Sequence, residues 1–194
     1  MEHCKAIVKR LDNIHYSTNE SELLVLADVW ARKQEKRWGS VLNASTIYAR
    51  DGLAIDIRQP TVKELRGRDI RLWRNRKGFW ALIAQGFCDC NCRFAVFDIR
   101  WPGATNDIVA YKMTALYHSA TNGEFAGWAA MVLDEAYSSC GGMHPTPFSI
   151  SKMLDATCND RGVYKMLSFI HILSCQRITI ERAFGILVCR WGIL

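Results

Sequence analysis

Three carboxylates stand at positions where their chemistry could serve a functional site. Asp51 is expected to open a strand at residues 53–57, Asp134 directly follows the apolar run 131–133, and Glu181 lies within an apolar helical pattern. A carboxylate at the carboxyl end of a buried strand lies at the sheet edge where α/β proteins form their sites. Carboxylate oxygens suit Mg²⁺ or Mn²⁺ rather than zinc. These residue types therefore indicate divalent-cation chemistry if the fold brings them together.

Carboxylates that converge on one spot repel one another, and bound divalent cations relieve that repulsion. A pair of such cations can activate a water molecule and stabilise the leaving oxygen of a phosphodiester. Each acid also has an ordinary interpretation. An Asp after a strand is usually a turn or a helix cap, and a Glu on a helix is usually solvated or paired, here with Arg177 or Arg182. Spacing alone leaves both interpretations open.

Apolar patterning predicts the elements that would position these acids. Residues 1–40 have helical spacing, including a helix over 21–36 that Asn19 or Ser21 could cap. A hairpin is predicted from residues 79–88 and 93–99, with turn-forming Asp and Asn residues between the two strands.

The second half of the chain alternates helix and strand. Asn106 or Asp107 could cap a helix running to Leu116, which would cross over to a parallel, buried strand at 129–133. A helix then occupies most of residues 165–194. Mixed strands with flanking helices predict an α/β layered fold.

The composition narrows the class of protein. With 49% apolar and 23% charged residues, the chain is an ordinary globular sequence, which excludes disordered, collagen-like and coiled-coil classes. No apolar run approaches the roughly 20 residues of a membrane span, and the N-terminus lacks a signal-peptide core. The eight cysteines are therefore expected to be reduced and mostly buried. The net charge of +6 suits a polyanionic partner.

Several longer motifs make the sequence recognisable as a member of a family. The chain resembles the nuclease domain of Harbinger-type (PIF/Harbinger) transposases and their domesticated relatives, the DDE superfamily endonucleases. The resemblance runs from about Trp38 to the C-terminus. It rests on five blocks in the family's order: Asp51-Gly52, Asn75-Arg76-Lys77-Gly78-Phe79, Trp101-Pro102-Gly103-Ala104-Thr105-Asn106-Asp107, Asp134-Glu135-Ala136-Tyr137, and residues 177–185 continuing to Arg190-Trp191-Gly192.

The resemblance implies a ribonuclease H-like fold, in which a mixed sheet is flanked by helices. It implies that Asp51, Asp134 and Glu181 hold two Mg²⁺ (or Mn²⁺) ions. A metal-bound water, or later a DNA 3′-hydroxyl, attacks the phosphodiester while the second metal steadies the departing oxygen. The two aspartates are expected on neighbouring strands, with the glutamate on a helix behind them. Asp107 is expected to cap a helix or support the site.

Domain organisation and partners follow from the same resemblance. Residues 1–40 are expected to be an N-terminal helical appendage, and 41–194 a nuclease domain that continues further in family members. The family's DNA-binding helix-turn-helix is not visible before Asp51, so a separate DNA-binding protein is expected to supply site recognition. DNA and a nuclear location are the implied partner and compartment. A catalytically silent, transposon-derived DNA-binding or protein-interaction module remains the alternative, and a fragment too short to fold stably is a third.

Residues 64–77 are the most basic stretch of the chain. Arginines offer forked donors to phosphates, and Trp73 could stack on a base, so DNA contact and a solvated basic loop are both open. The candidate DNA-binding residues are Arg66, Arg68, Arg71, Arg74, Arg76 and Lys77. The alternating cysteines 88, 90 and 92 do not predict zinc, because no second cysteine pair has suitable spacing.

Overall fold

A computed structural model describes residues 16–39, 44–140 and 160–192 of the 194-residue chain. Its helices are α1 (Glu20–Trp38), α2 (Val62–Leu65), α3 (Asp107–Lys112), α4 (Ala115–Thr121) and α5 (Asp160–Trp191), and two 3₁₀ helices span Ile70–Trp73 and Glu135–Cys140. Its strands are β1 (Thr46–Asp56), β2 (Ala81–Cys88), β3 (Phe94–Pro102) and β4 (Ala130–Val132).

The four strands form one mixed sheet in the order β3-β2-β1-β4. β2 pairs antiparallel with both β1 and β3, which confirms the predicted hairpin. β4 pairs parallel with β1 after a crossover through α3 and α4, which confirms the predicted parallel neighbour. The α/β class predicted from the patterning is therefore correct.

β1 begins earlier than predicted, so Asp51 lies in the middle of the strand and does not open it. Residues 46–49 pair with β4, and the strand continues along β2 as far as Asp56. Arg50 and Asp51 break the apolar pattern, which made this part of the strand hard to recognise. Backbone pairing with β4 up to Ala49, and with β2 from Ala49 onward, outweighs that local polarity.

The predicted helix from residue 106 to Leu116 is two helices. Asn106 caps α3 by accepting a hydrogen bond from the Ile108 amide at 2.8 Å. The chain then turns at Met113, and Thr114 caps α4 by accepting a hydrogen bond from the Tyr117 amide at 3.2 Å. A buried Thr at this position offers its hydroxyl as a cap, which favours a new helix over continuation of the old one.

Two apolar layers cover the two faces of the sheet. On one face, α5 packs Ile180, Ala183 and Phe184 onto β-strand residues that include Ala49. On the other face, Tyr111 belongs to a second cluster with strand, helix and loop side chains. Alternate residues of a strand point to opposite faces. Ala49 and Asp51 therefore face α5, whereas Arg50 and Gly52 face α3.

The first predicted helix, in residues 1–15, and the Gly/Pro loop at 141–147 lie outside the described residues. Within the described segments, no helix is long and apolar enough to cross a membrane. Cys88, Cys90, Cys92, Cys175 and Cys189 are free thiols, and burial raises the pKa of the Cys88 thiol in the core.

Candidate active site

Asp51 is held on β1 opposite Gly86 of β2, on the face covered by α5. The absent side chain at Gly86 lets α5 approach closely, because a Cβ atom there would lie 2.6 Å from Cε1 of Phe184. Arg177, Glu181 and Phe184 are spaced by four and three residues, so they share one face of α5. Because Phe184 packs on the sheet at Gly86, Arg177 and Glu181 lie beside Asp51.

Asp134 reaches the same place from β4. In the described part of the chain, β4 pairs with β1 only as far as Ala49, so the β1 edge is open from Asp51 onward. Asp134 follows the end of β4 by two residues, and its Oδ1 accepts a hydrogen bond from the Glu135 amide at 2.8 Å. The Oδ1 of Asp51 accepts from the Gly52 amide, also at 2.8 Å. In each aspartate the second oxygen, Oδ2, is the one directed to α5.

The guanidinium of Arg177 contacts all three carboxylates. Its Nη1 lies 3.2 Å from Oδ2 of Asp134 and 3.7 Å from Oδ2 of Asp51. Its Nη2 lies 3.3 Å from Oε1 of Glu181. The structure thus brings together the three acids that the sequence singled out, from a strand, a loop and a helix. The sequence indicated Arg177 as the first residue of the last family block and as an ion-pair partner for Glu181, but its contacts with the aspartates could not be read from spacing.

The site is enclosed at Asp51 and open at Glu181. The side chain of Asp51 is 25% exposed, whereas those of Asp134 and Glu181 are 43% and 49% exposed. Burial raises the pKa of Asp51, and Asp134 adds to the rise; the Gly52 amide, Arg177 and Arg50 act in the opposite direction. A large substrate could therefore approach from the Glu181 and Asp134 side.

Directly behind Asp51, Arg50 is completely buried on the opposite face of β1. Its guanidinium carbon lies 3.7 Å from the ring centroid of Tyr137 and 4.2 Å from that of Tyr111, and Nη2 donates to Oε1 of Gln85. Its Nε and Nη1 atoms have no hydrogen-bond partner among the described residues. Burial lowers the pKa of Arg50 and raises that of Tyr137. The aromatic rings thus contact the guanidinium directly, and the Asp51 carboxylate adds a charge attraction.

Arg50 ties the two aspartate-bearing segments together from behind. It is the neighbour of Asp51 in β1, and Tyr137 follows Asp134 by three residues. The sequence patterns did not predict this role of Arg50, although an Arg inside a strand-like apolar run was the available signal.

A polar cavity of about 290 Å³ lies on the α3 face beside Gly52. It brings together the blocks 75–77 and 103–107, which are far apart in sequence. A Cβ atom on Gly52 would lie 2.9 Å from Oδ1 of Asp107, so the close approach of Asp107 requires a glycine after Asp51. Asp107 therefore lies close to the strand that bears Asp51, and its neighbour Asn106, not Asp107, supplies the side chain that caps the helix.

The structure separates the six basic candidates of residues 64–77. Arg76 and Lys77 line the cavity. Arg71 forms an ion pair with Asp69 at 2.7 Å, and Nε of Arg74 donates to the carbonyl of Gly78 at 3.0 Å. Arg66 and Arg68 are exposed and lie outside the cavity lining.

The family model of the DDE superfamily endonucleases matches residues 50–194. The chain belongs to this family. No curated protein and no solved structure matches the chain. The matched range begins at Arg50 and contains the three carboxylates, Arg177 and the cavity. Membership suggests a transposase-type nuclease, for which DNA is the substrate.

DDE endonucleases generally use divalent metals, so the site can be tested for its fit to one. The donor types fit, because all three side chains offer oxygen ligands of the kind that Mg²⁺ and Mn²⁺ prefer. The three carboxylates, however, are spaced as acids are around a guanidinium and not as ligands are around a metal ion. Across the described ranges, no group of three or more His, Cys, Asp or Glu side chains could hold a metal ion as placed. In this arrangement Arg177 occupies the centre of the candidate ligand set.

Proposed function

We propose that the chain is a metal-dependent DNA endonuclease of the DDE transposase type, and specifically of the Harbinger group. Asp51, Asp134 and Glu181 are the proposed ligands of Mg²⁺ or Mn²⁺. The observation that carries the proposal is the convergence of these three carboxylates on one guanidinium from three separate elements. Acidic residues without a shared function would not be expected to converge where a buried strand meets a helix. The range matched by the family model contains all three carboxylates.

The chemistry divides between the metal and the chain. Bound divalent cations would activate the attacking oxygen and neutralise charge on the phosphodiester. The chain's own residues position the ligands: the Gly52 and Glu135 amides fix one oxygen of each aspartate, and the exposed side of Glu181 leaves room for DNA. The order β3-β2-β1-β4, with β4 parallel to β1, supports our assignment of a ribonuclease H-like fold.

Contact with DNA is assigned to the basic residues near the site. Arg76 and Lys77 line the cavity next to Gly52, and the side chains of Arg66 and Arg68 are exposed and available to phosphates. Arg71 and Arg74 contribute less in this proposal, because their guanidinium groups already have partners. A nuclear location and a separate protein that supplies site recognition are part of the same proposal.

The test is nicking of supercoiled plasmid by the purified chain with Mg²⁺ or Mn²⁺. We expect nicking that requires the metal and falls to background in Glu181→Gln and Asp134→Asn, because each loses an anionic ligand. Glu135→Gln is the matched control: it removes the same charge next to Asp134 from an exposed side chain and should leave nicking unchanged.

Two results would contradict this proposal. Nicking that persists in both ligand variants would place the chemistry elsewhere. A folded chain that binds DNA but never nicks it would instead indicate the catalytically silent DNA-binding module.

A further inference from the structure

Arg177 occupies the space in which the proposed function needs a cation. The oxygens that face it are Oδ2 of Asp51, Oδ2 of Asp134 and Oε1 of Glu181. A Mg²⁺ or Mn²⁺ ion would need these same oxygens at about 2.1 Å. A planar guanidinium lying between the three carboxylates and a metal ion bound by all three cannot occupy that space together.

We propose that Arg177 is a built-in counter-ion that holds the three carboxylates together in the absence of a divalent cation and competes with that cation for them. The inference rests on the proposed function, since it takes the three acids as the metal ligands. It explains why the donor types suit a metal while their spacing does not.

The contact distances make Arg177 displaceable. Its three ion pairs span 3.2–3.7 Å, longer than the roughly 2.7–2.9 Å of a strong charge-assisted hydrogen bond. Each such pair near the surface contributes little on its own. The side chain of Arg177 is 27% exposed, so its long stem has a route to solvent. The three carboxylates would then be free to close on the metal.

The charge balance gives the direction of the competition. One guanidinium opposes three carboxylates, so removal of Arg177 leaves a stronger negative field for a divalent cation and removes its competitor. It also leaves like charges facing one another in the metal-free chain. Loss of Arg177 should therefore weaken the metal-free fold and strengthen metal binding, a combination that a purely structural arginine would not produce.

The test measures Mn²⁺ binding to the full chain without DNA, from the electron paramagnetic resonance signal of free Mn²⁺ at about 0.15 M salt, where long-range charge effects are largely screened. We expect Arg177→Gln to bind Mn²⁺ about tenfold more tightly than the unmodified chain, equivalent to ~1.4 kcal/mol. Arg182→Gln is the matched control, since it removes the same charge from an exposed position five residues along α5 and should not change the affinity.

Thermal unfolding supplies the second readout. In EDTA, Arg177→Gln should melt below the unmodified chain, and saturating Mn²⁺ should raise its Tm by more than it raises that of the unmodified chain. If Arg177→Gln does not fold, Arg177→Lys replaces it. Lysine keeps the charge but reaches fewer carboxylates at once, so a smaller gain in Mn²⁺ affinity is expected.

The outcomes separate this inference from the proposed function. Equal Mn²⁺ affinity in the folded Arg177 variants and the unmodified chain, with binding still lost in Asp134→Asn, would overturn the counter-ion role and leave the metal site standing. Weaker binding in Arg177→Gln would overturn it too. Absence of Mn²⁺ binding in every variant would overturn both.

Discussion

At the residue scale, we expect the ionised Asp51 side chain, the proposed metal ligand, to lower the free energy of unfolding. Burial is the largest influence on this carboxyl and raises its pKa. The native state therefore holds its proton to a higher pH than the unfolded chain, whose aspartates titrate near pH 3.9. Stability falls as the pH rises from that value through the native pKa of Asp51. Above this window the fold carries the cost of an ionised, partly buried carboxylate.

Asp51→Asn should remove that cost. At pH 7 in EDTA we expect the variant to gain roughly 0.5–1 kcal/mol, or a few degrees in Tm, while losing nicking. The gain should shrink towards pH 4, where Asp51 is increasingly protonated in both states. Thermal unfolding followed by circular dichroism at the two pH values measures this. Asp56→Asn, at an exposed position of the same strand, is the control. A lower Tm in Asp51→Asn at pH 7 would mean that Arg177 and the Gly52 amide outweigh burial.

The types and order of the three acids were predictable, but the residues that organise them were not. Residue type, position and family motif point to Asp51, Asp134 and Glu181 in the sequence itself. Arg177 and Arg50 act through contacts across the fold. Because side chains alternate along β1, Arg50 lies on one face of the sheet and Asp51 on the other. No local sequence pattern predicts which side chains of other elements pack on either face.

At the element scale, the site depends on how closely α5 approaches the sheet. Gly86 pairs with Asp51, and the ring of Phe184 lies over it. That ring also packs against Phe94 and Phe97, with centroid distances of 5.8 and 6.3 Å, so it cannot easily move aside. The glycine thus sets the depth of α5, and with it the distance from the strand to Glu181.

Gly86→Ala should separate α5 from β1. The new Cβ would lie 2.6 and 2.8 Å from two Phe184 carbons, too close for ordinary contact. We expect a loss of about 1–3 kcal/mol in the free energy of unfolding, measured with urea, and weaker nicking because Glu181 moves with α5.

Two companion variants make the Gly86 prediction specific. Phe184→Leu in the Gly86→Ala background should recover part of the stability by making room for the new methyl group. Gly185→Ala changes the next residue of α5, where a Cβ meets nothing within 4 Å, and should be neutral or stabilising because alanine favours helix. A Gly86→Ala chain as stable as the unmodified one would show that α5 has no fixed depth.

Element boundaries were less predictable than element types. The hairpin and the parallel β4 followed from apolar runs and turn residues, which are local signals. The early start of β1 depends on pairing with β4, some 80 residues away in sequence, and the break after α3 depends on one buried Thr114 hydroxyl. Contacts of that kind are formed by the tertiary fold, so the sequence alone placed Asp51 at the wrong point of its strand.

At the scale of the whole molecule, the uneven distribution of charge suggests where DNA lies. The proposed function assigns a divalent metal to the acidic site, and the surrounding surface must then attract a polyanion despite three carboxylates. Arg76 and Lys77 line the cavity beside Gly52, and Gly52 belongs to the strand that carries Asp51. By contrast, Lys36 and Arg37 are exposed in the last turn of α1, outside both the acidic site and this cavity.

Salt dependence of DNA binding can tell these two basic pairs apart. Each phosphate contact contributes about 0.9 to the slope of log affinity against log salt on duplex DNA. We expect Arg76→Ala with Lys77→Ala to reduce the magnitude of that slope by roughly 2, measured by fluorescence anisotropy on a labelled duplex in EDTA. Lys36→Ala with Arg37→Ala removes the same net charge and should leave the slope unchanged. Equal changes in both double variants would mean that net charge alone attracts DNA. A change confined to the Arg76 and Lys77 pair would place the backbone along the cavity, next to the strand that presents Asp51.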